Sequence, residues 1–138
     1  MSASGIENPK SKMTETENRP DTKTVLILGA GGMLGNTLFR YFSSNPRAKV
    51  VGTVRSKGTL SGVSPSESAE IIDDLDVLDT RKLENLIDSI QPAVVLNCVG
   101  IIKQLQAAKN SLVSISINSL LPHQLDAICS ERNARLIH

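Results

Sequence analysis

The stretch TVLILGAGGMLGNTLFRYF, residues 24–42, sets four glycines within seven positions directly behind an apolar run. The run from Thr24 to Leu28 shows no polar alternation, as suits a strand buried on both faces. The glycines then read G-x-x-G-x-x-G on Gly29, Gly32 and Gly35, with Gly31 between them. Behind them Met33, Leu34, Leu38, Tyr41 and Phe42 recur at helical spacing, and Tyr41 reads as a core residue of that helix. Gly29 permits a sharp exit from the strand, since a Cβ forbids the backbone angles required. Gly32 leaves space for a pyrophosphate to approach the backbone, and Gly35 lets the new helix lie close against the strand. The helix start adds unpaired N–H groups and a partial positive charge. A turn needing glycine for packing alone is the competing reading. The strand before and the amphipathic helix behind favour dinucleotide binding, by Gly29, Gly31, Gly32, Met33, Leu34 and Gly35.

Outward from this turn, strand-like and helix-like patterns alternate. AKVVGTVR, residues 48–55, reads as a second strand, followed by a loop of turn formers and a short strand at AEII, residues 69–72. In the next helix Leu83, Leu86, Ile87 and Ile90 fall at i, i+3, i+4 and i+7, with Asp79 placed to cap it. PAVVLNCVG, residues 92–100, is another buried strand, entered by a proline where no ladder bond is yet needed. A helix from about Leu112 to Glu131 precedes ARLIH, where a fifth strand begins and the sequence stops. The alternation predicts an α/β fold: a Rossmann-like, doubly wound parallel sheet, cut short in its fifth strand. Such sheets bind ligands at the carboxyl ends of their strands, where strand order reverses.

Composition limits the function classes. The 138 residues fit one domain, and a net charge of +1 gives no pull toward nucleic acid or an anionic membrane. One Tyr, two Phe and no Trp leave little for stacking on single-stranded bases. No apolar stretch approaches the ~20 residues of a membrane helix. Residues 1–23 carry four acids, four bases and two prolines without an apolar segment, and read as a disordered tail rather than a signal peptide. The folded domain is therefore expected over residues 24–138. Cys98 and Cys129 lie in apolar surroundings with no metal-ligand spacing, and read as reduced, buried thiols of a cytoplasmic protein. No metal site is expected.

The choice of dinucleotide turns on the end of the second strand. Sheets that bind NAD usually carry an acid there for the ribose hydroxyls. No Asp or Glu stands between Asp21 and Glu67, and the strand runs into Arg55, Ser56 and Lys57. A guanidinium suits a 2′-phosphate through bidentate, charge-assisted bonds. NADP(H) is thereby favoured over NAD(H), the alternative being a solvated basic turn. Asn118 has an argument of its own. Pro122, four residues on, has no N–H for the Asn118 carbonyl, so a kink and a free carbonyl are expected inside the helix. A plain kinked core helix is the competing reading.

With these residues in place, the chain resembles the extended short-chain dehydrogenase/reductase superfamily, and within it the dTDP-4-dehydrorhamnose reductase family. The likeness runs through LILGAGGMLG, DVLDTRKLENLI, PAVVLNCVG, INSLLPHQLDAIC and ARLIH. It implies that Asp76 accepts from the adenine amine and that Val77 contacts the ring, although from the residues alone Asp76 reads as an exposed turn acid. It implies that Cys98, Val99 and Gly100 wall the ribose and nicotinamide, and that Asn118 is the family's catalytic asparagine, holding a relay water. The family's Tyr-x-x-x-Lys proton donor is not found: Tyr41, the one tyrosine, has Asn45 four positions on. His123 and His138 form no evident constellation with Ser or Asp. The implied activity is NADP-dependent reduction of a nucleotide-linked keto-sugar, with this chain supplying the cofactor-binding part and the complete protein open to homodimerisation. A non-catalytic regulatory or redox-sensing module and an epimerase or dehydratase relative are the alternatives.

Overall fold

The computed structural model describes residues 22–56, 68–102 and 109–138. Residues 1–21 of the expected tail, Lys57 and most of the loop behind it lie outside them. Among the described residues five strands and four helices follow in order: β1 Lys23–Leu28, α1 Met33–Ser43, β2 Ala48–Thr53, β3 Ala69–Ile72, α2 Thr80–Ile90, β4 Val94–Asn97, α3 Ser111–Ile115, α4 Leu121–Glu131 and β5 Arg135–Ile137. A π-helical turn, Ser116–Leu120, joins α3 to α4. β1 begins at Lys23, one residue ahead of the expected boundary, and Lys23 pairs with Ala48 of β2.

The sheet is the expected Rossmann-like one. Its order is β3-β2-β1-β4-β5, and every pairing is parallel. Strand order reverses between β1 and β4, which opens a crevice at their carboxyl ends. Successive side chains of a strand point to opposite faces, so the unbroken apolar run of β1 serves two cores. Val25 and Ile27 join Phe39, Val50 and Leu96 on one face. Leu26 and Leu28 join Leu83, Ile87, Val95, Leu121 and Leu125 on the other. Each such side chain, fully buried, stabilises the fold by roughly 1.5–3 kcal/mol before entropy is counted.

The rotation of α1 differs from the expected one. Phe39 is buried and Leu38 and Phe42 partly so, whereas Met33, Leu34 and Tyr41 are exposed, Tyr41 by 66%. The reading of Tyr41 as a core residue is therefore corrected: its ring stands edge-on to Phe42, with centroids 5.2 Å apart, on the solvent side. Two glycines cause this. A Cβ on Gly35 would stand 2.1 Å from the Gly29 carbonyl oxygen, so Gly35 must lie flat against the end of β1. A Cβ on Gly52 of β2 would come within 2.7 Å of the Phe39 ring, so that ring rests on bare backbone. Gly35, Phe39 and Phe42 at i, i+4 and i+7 then define the buried stripe, and Tyr41 is carried about 200° from Phe39.

α2 follows its sequence. Asp79 caps it by accepting from the Lys82 N–H at 3.1 Å, and Leu83 and Ile87 are buried. Before Pro122 the chain widens: the Leu121 N–H reaches the Ser116 carbonyl, five residues back. A π turn lets the proline ring clear the preceding turn without breaking the helix. At the far end of α4, Arg132 clamps Asp88 of α2, Nε to Oδ1 at 2.6 Å and a terminal nitrogen to Oδ2 at 3.1 Å.

Candidate functional site

The glycine turn sits at the carboxyl end of β1, beside the switch point. Gly29 adopts φ +80°, a conformation closed to most side chains, and a Cβ there would also meet Val99 Cγ2 at 3.0 Å and the Cys98 carbonyl oxygen at 3.2 Å. The turn closes through the Gly32 N–H, which donates to the Gly29 carbonyl at 3.0 Å. Gly32 is also the N-cap of α1, and no side chain caps that end. The first intrahelical bond runs from the Asn36 N–H to the Gly32 carbonyl at 2.8 Å. The N–H groups of Met33, Leu34 and Gly35 precede it, and no acid stands in the first turn to compete for them. Gly32 is exposed, and a Cβ there would make only an ordinary 3.5 Å contact. Packing thus explains glycine at 29 and 35 but not at 32. The exposure of Met33 and Leu34 places both at the open end of this cradle.

The second strand supports the turn from one side. Thr53, its last residue and 2% exposed, receives the Gly29 N–H on Oγ1 at 3.4 Å and the Ala30 N–H on its carbonyl at 2.8 Å. Val54 continues the pairing to Ile72, and Arg55 follows, exposed at the rim. Asp76 and Val77 arrive near this end through the Leu75 N–H, which donates to the Val54 carbonyl at 3.3 Å. The Asp76 carboxylate is exposed and accepts from the Leu78 N–H at 3.0 Å through one oxygen, as a turn acid does. Val77 turns its side chain into the core with Leu75 and Leu83 and is 9% exposed, which leaves little of it at the surface.

The fourth strand supplies the other wall. Cys98 packs toward the α1 face and Val99 toward the opposite one, while Gly100 is exposed. Burial pushes the thiols of Cys98 and Cys129 above their ordinary pKa, so both are held protonated at neutral pH. Asn118, in the π turn, grips the exit of this strand: its Oδ1 accepts from the Ile101 N–H and its Nδ2 donates to the Ile101 carbonyl, both at 2.8 Å. Gly100 lies under that grip, where a Cβ would stand 3.7 Å from the same Oδ1. Asn97, buried, accepts from the Val99 N–H at 3.2 Å and faces His138 Nδ1 at 3.1 Å through Nδ2.

The glycine turn, Arg55, Asp76, Val77 and the residues from Cys98 to Gly100 thus share the carboxyl edge of adjoining strands. Asn118 joins them through Ile101. Sequence reading passed over Thr53, Gly52 and Asn97. Gly52 could have been found as a small residue inside a β-branched run; Thr53 and Asn97 act through partners far along the chain. Among the described residues, no group of three or more His, Cys, Asp or Glu gathers as a metal site would require, and no helix is long and apolar enough to cross a membrane.

Comparison with known proteins agrees with this architecture. The chain is 27% identical over 112 residues to a Haloferax volcanii protein named "Probable low-salt glycan biosynthesis reductase", covering 81% of this chain and 35% of that one. It is 25% identical over 113 residues to a dTDP-4-keto-6-deoxy-D-glucose reductase of Streptomyces niveus, covering 82% and 33%. The chain thus spans about a third of the length of these curated relatives. Among solved structures, the Bordetella bronchiseptica enzyme WbmG in complex with NAD superposes with a TM-score of 0.69 at 20% identity, over 86% of this chain and 37% of that one. The Helicobacter pylori ADP-L-glycero-D-manno-heptose-6-epimerase gives 0.66 at 22%, over 84% and 38%. These likenesses carry the fold. The model of the RmlD substrate binding domain matches residues 23–138, and the chain belongs to that family.

Proposed function

We propose that this chain is the dinucleotide-binding part of an NADP-dependent reductase acting on a nucleotide-linked keto-sugar. The observation that carries the reading is Gly32: exposed, uncapped and free of packing constraint at the start of α1, beside the switch point. The N–H groups of Met33, Leu34 and Gly35 hold the pyrophosphate, with Gly31 in the same turn. Arg55 pairs with the 2′-phosphate. Asp76 offers its second carboxylate oxygen to the adenine amine, and Val77 contributes the rim of the adenine pocket. Cys98, Val99 and Gly100 line the ribose and nicotinamide side; the Cys98 thiol, kept protonated, adds no charge there. A bound nicotinamide would supply the hydride. Asn118 keeps its side chain on Ile101, and its main-chain carbonyl, to which Pro122 has no N–H to donate, would hold a water that relays a proton. Both curated relatives carry the name reductase, which favours reduction over the epimerisation named for the Helicobacter neighbour.

The test is binding of NADPH followed by the cofactor's own fluorescence, which a chain without Trp leaves undisturbed. Saturable binding that weakens at least about tenfold in Gly32→Val supports the reading. Equal binding by the variant contradicts it. Reductase activity is tested by NADPH oxidation with a dTDP-4-keto-6-deoxy sugar in the full-length protein.

A further inference from the structure

We infer that Thr53 is a positioning residue for dinucleotide binding: its hydroxyl holds the glycine turn in the shape that receives the pyrophosphate. The inference rests on the proposed cofactor reading. It concerns a residue of the neighbouring strand rather than of the turn itself.

Three observations place the hydroxyl in this role. Gly29 is the first residue beyond β1, and at φ +80° its N–H is received by the Thr53 side chain, Oγ1 at 3.4 Å, rather than by backbone. The next residue, Ala30, donates to the carbonyl of the same Thr53 at 2.8 Å. One residue of β2 therefore receives two successive N–H groups as the chain leaves the sheet. Thr53 is moreover 2% exposed, the one buried polar residue of β2. A buried hydroxyl is costly unless it is hydrogen-bonded, and Val would fill the same volume without that requirement. The turn gives the hydroxyl its use. The Gly29 carbonyl, held on the other side of the same residue, receives the Gly32 N–H at 3.0 Å, so the orientation of Gly29 is passed directly to the N-cap of α1.

Thr53 and Arg55 then do separable things. The exposed Arg55 faces a group that only one dinucleotide carries, whereas Thr53 acts through Gly29 on the pyrophosphate that both share. Loss of the Thr53 hydroxyl weakens NADP and NAD alike. Loss of the Arg55 guanidinium changes their ratio.

The experiment compares the full chain with Thr53→Val, of the same shape without the hydroxyl, and Thr53→Ser, which keeps the hydroxyl. NADP and NAD affinities are measured by calorimetry, and thermal transitions are recorded alongside. One neutral hydrogen bond corresponds to about 2- to 10-fold in affinity. The expected result is a loss of that size in Thr53→Val, equal for the two dinucleotides, with binding restored to within about twofold in Thr53→Ser. Unchanged affinity in Thr53→Val overturns the inference. An equal loss in both variants also overturns it, by assigning the effect to the methyl group. Should Thr53→Val fail to fold, amide exchange at Gly29 in Thr53→Ser decides: retained protection supports the hydroxyl's role and lost protection overturns it. Binding of neither dinucleotide by the unsubstituted protein removes the cofactor reading itself, and this inference with it.

Discussion

Gly35→Ala isolates what holds α1 to the sheet. In an exposed helix interior the change would stabilise by about 1 kcal/mol, because alanine loses less backbone freedom on folding. Here the new Cβ would lie 2.1 Å from the Gly29 carbonyl oxygen, 2.8 Å from its carbonyl carbon and 3.0 Å from the Ala30 Cα. All three neighbours are backbone, so no side chain can swing aside. α1 has to retreat by about 1.3 Å to restore ordinary contact, carrying Phe39 off Gly52 and stretching the bond from Gly32 to Gly29. Overpacking of this kind costs about 1–3 kcal/mol, and the unyielding neighbours put it at the upper end. Net of the helix gain, the variant is expected to be destabilised by about 2 kcal/mol. The assay is urea unfolding followed by far-UV circular dichroism, where a lower midpoint at unchanged slope reports lost stability. Gly32→Ala is the internal comparison. Its Cβ makes only a 3.5 Å contact, so it should cost no more than about 1 kcal/mol, the preference for glycine over alanine at an N-cap. A Gly35→Ala protein as stable as its parent would refute the close seating of α1.

Arg55→Ala should leave NAD binding nearly unchanged and remove most of any preference for NADP, since a bond to a charged group contributes about 1.5–3 kcal/mol, or roughly 10- to 100-fold; competition calorimetry reads the ratio directly. The guanidinium of Arg132 holds the Asp88 carboxyl below its ordinary pKa. The pair therefore stabilises above the unfolded carboxyl's pKa, and its contribution is lost as pH falls through the lower folded value. Asp88→Asn should accordingly be less stable than the parent at neutral pH, with the two thermal midpoints converging as the pH falls below the ordinary carboxylate range; a gap that stays constant with pH would contradict the pairing. Alkylation at neutral pH should be slow at both thiols, because burial keeps them protonated, and half-buried Cys98 should react before Cys129. Mass spectrometry of partially modified protein gives the order, and prior reaction of Cys129 would show that α4 is not packed as described.

What was legible in the sequence is what local pattern encodes. The unbroken apolar run of β1, the glycine spacing behind it and the i, i+3, i+4, i+7 face of α2 each follow from neighbours a few residues apart. Asp79 caps α2 from three residues away, and it was placed correctly. The rotation of α1 was not legible, because it depends on Gly52 of another strand receiving the Phe39 ring. Aromatic spacing alone made Tyr41 look buried. The π turn was half legible: Pro122 announces a disturbance, but not whether the helix bends or widens. The polar contacts that shape the site were invisible for the same reason. Thr53 meets Gly29 across 24 residues, Asn118 meets Ile101 across 17, and Asn97 meets His138 across 41. Such pairs have no periodicity to betray them.

The most direct measurement of this site is a calorimetric titration of the unsubstituted protein with NADP and, separately, with NAD. The carboxyl edge of β1, β2 and β4 joins an uncapped helix start to an exposed guanidinium, with no acid between Asp21 and Glu67. Both dinucleotides are expected to bind at one site, with NADP tighter by roughly 10- to 100-fold. Equal affinities would contradict the assignment of Arg55, and no binding of either would contradict the site itself.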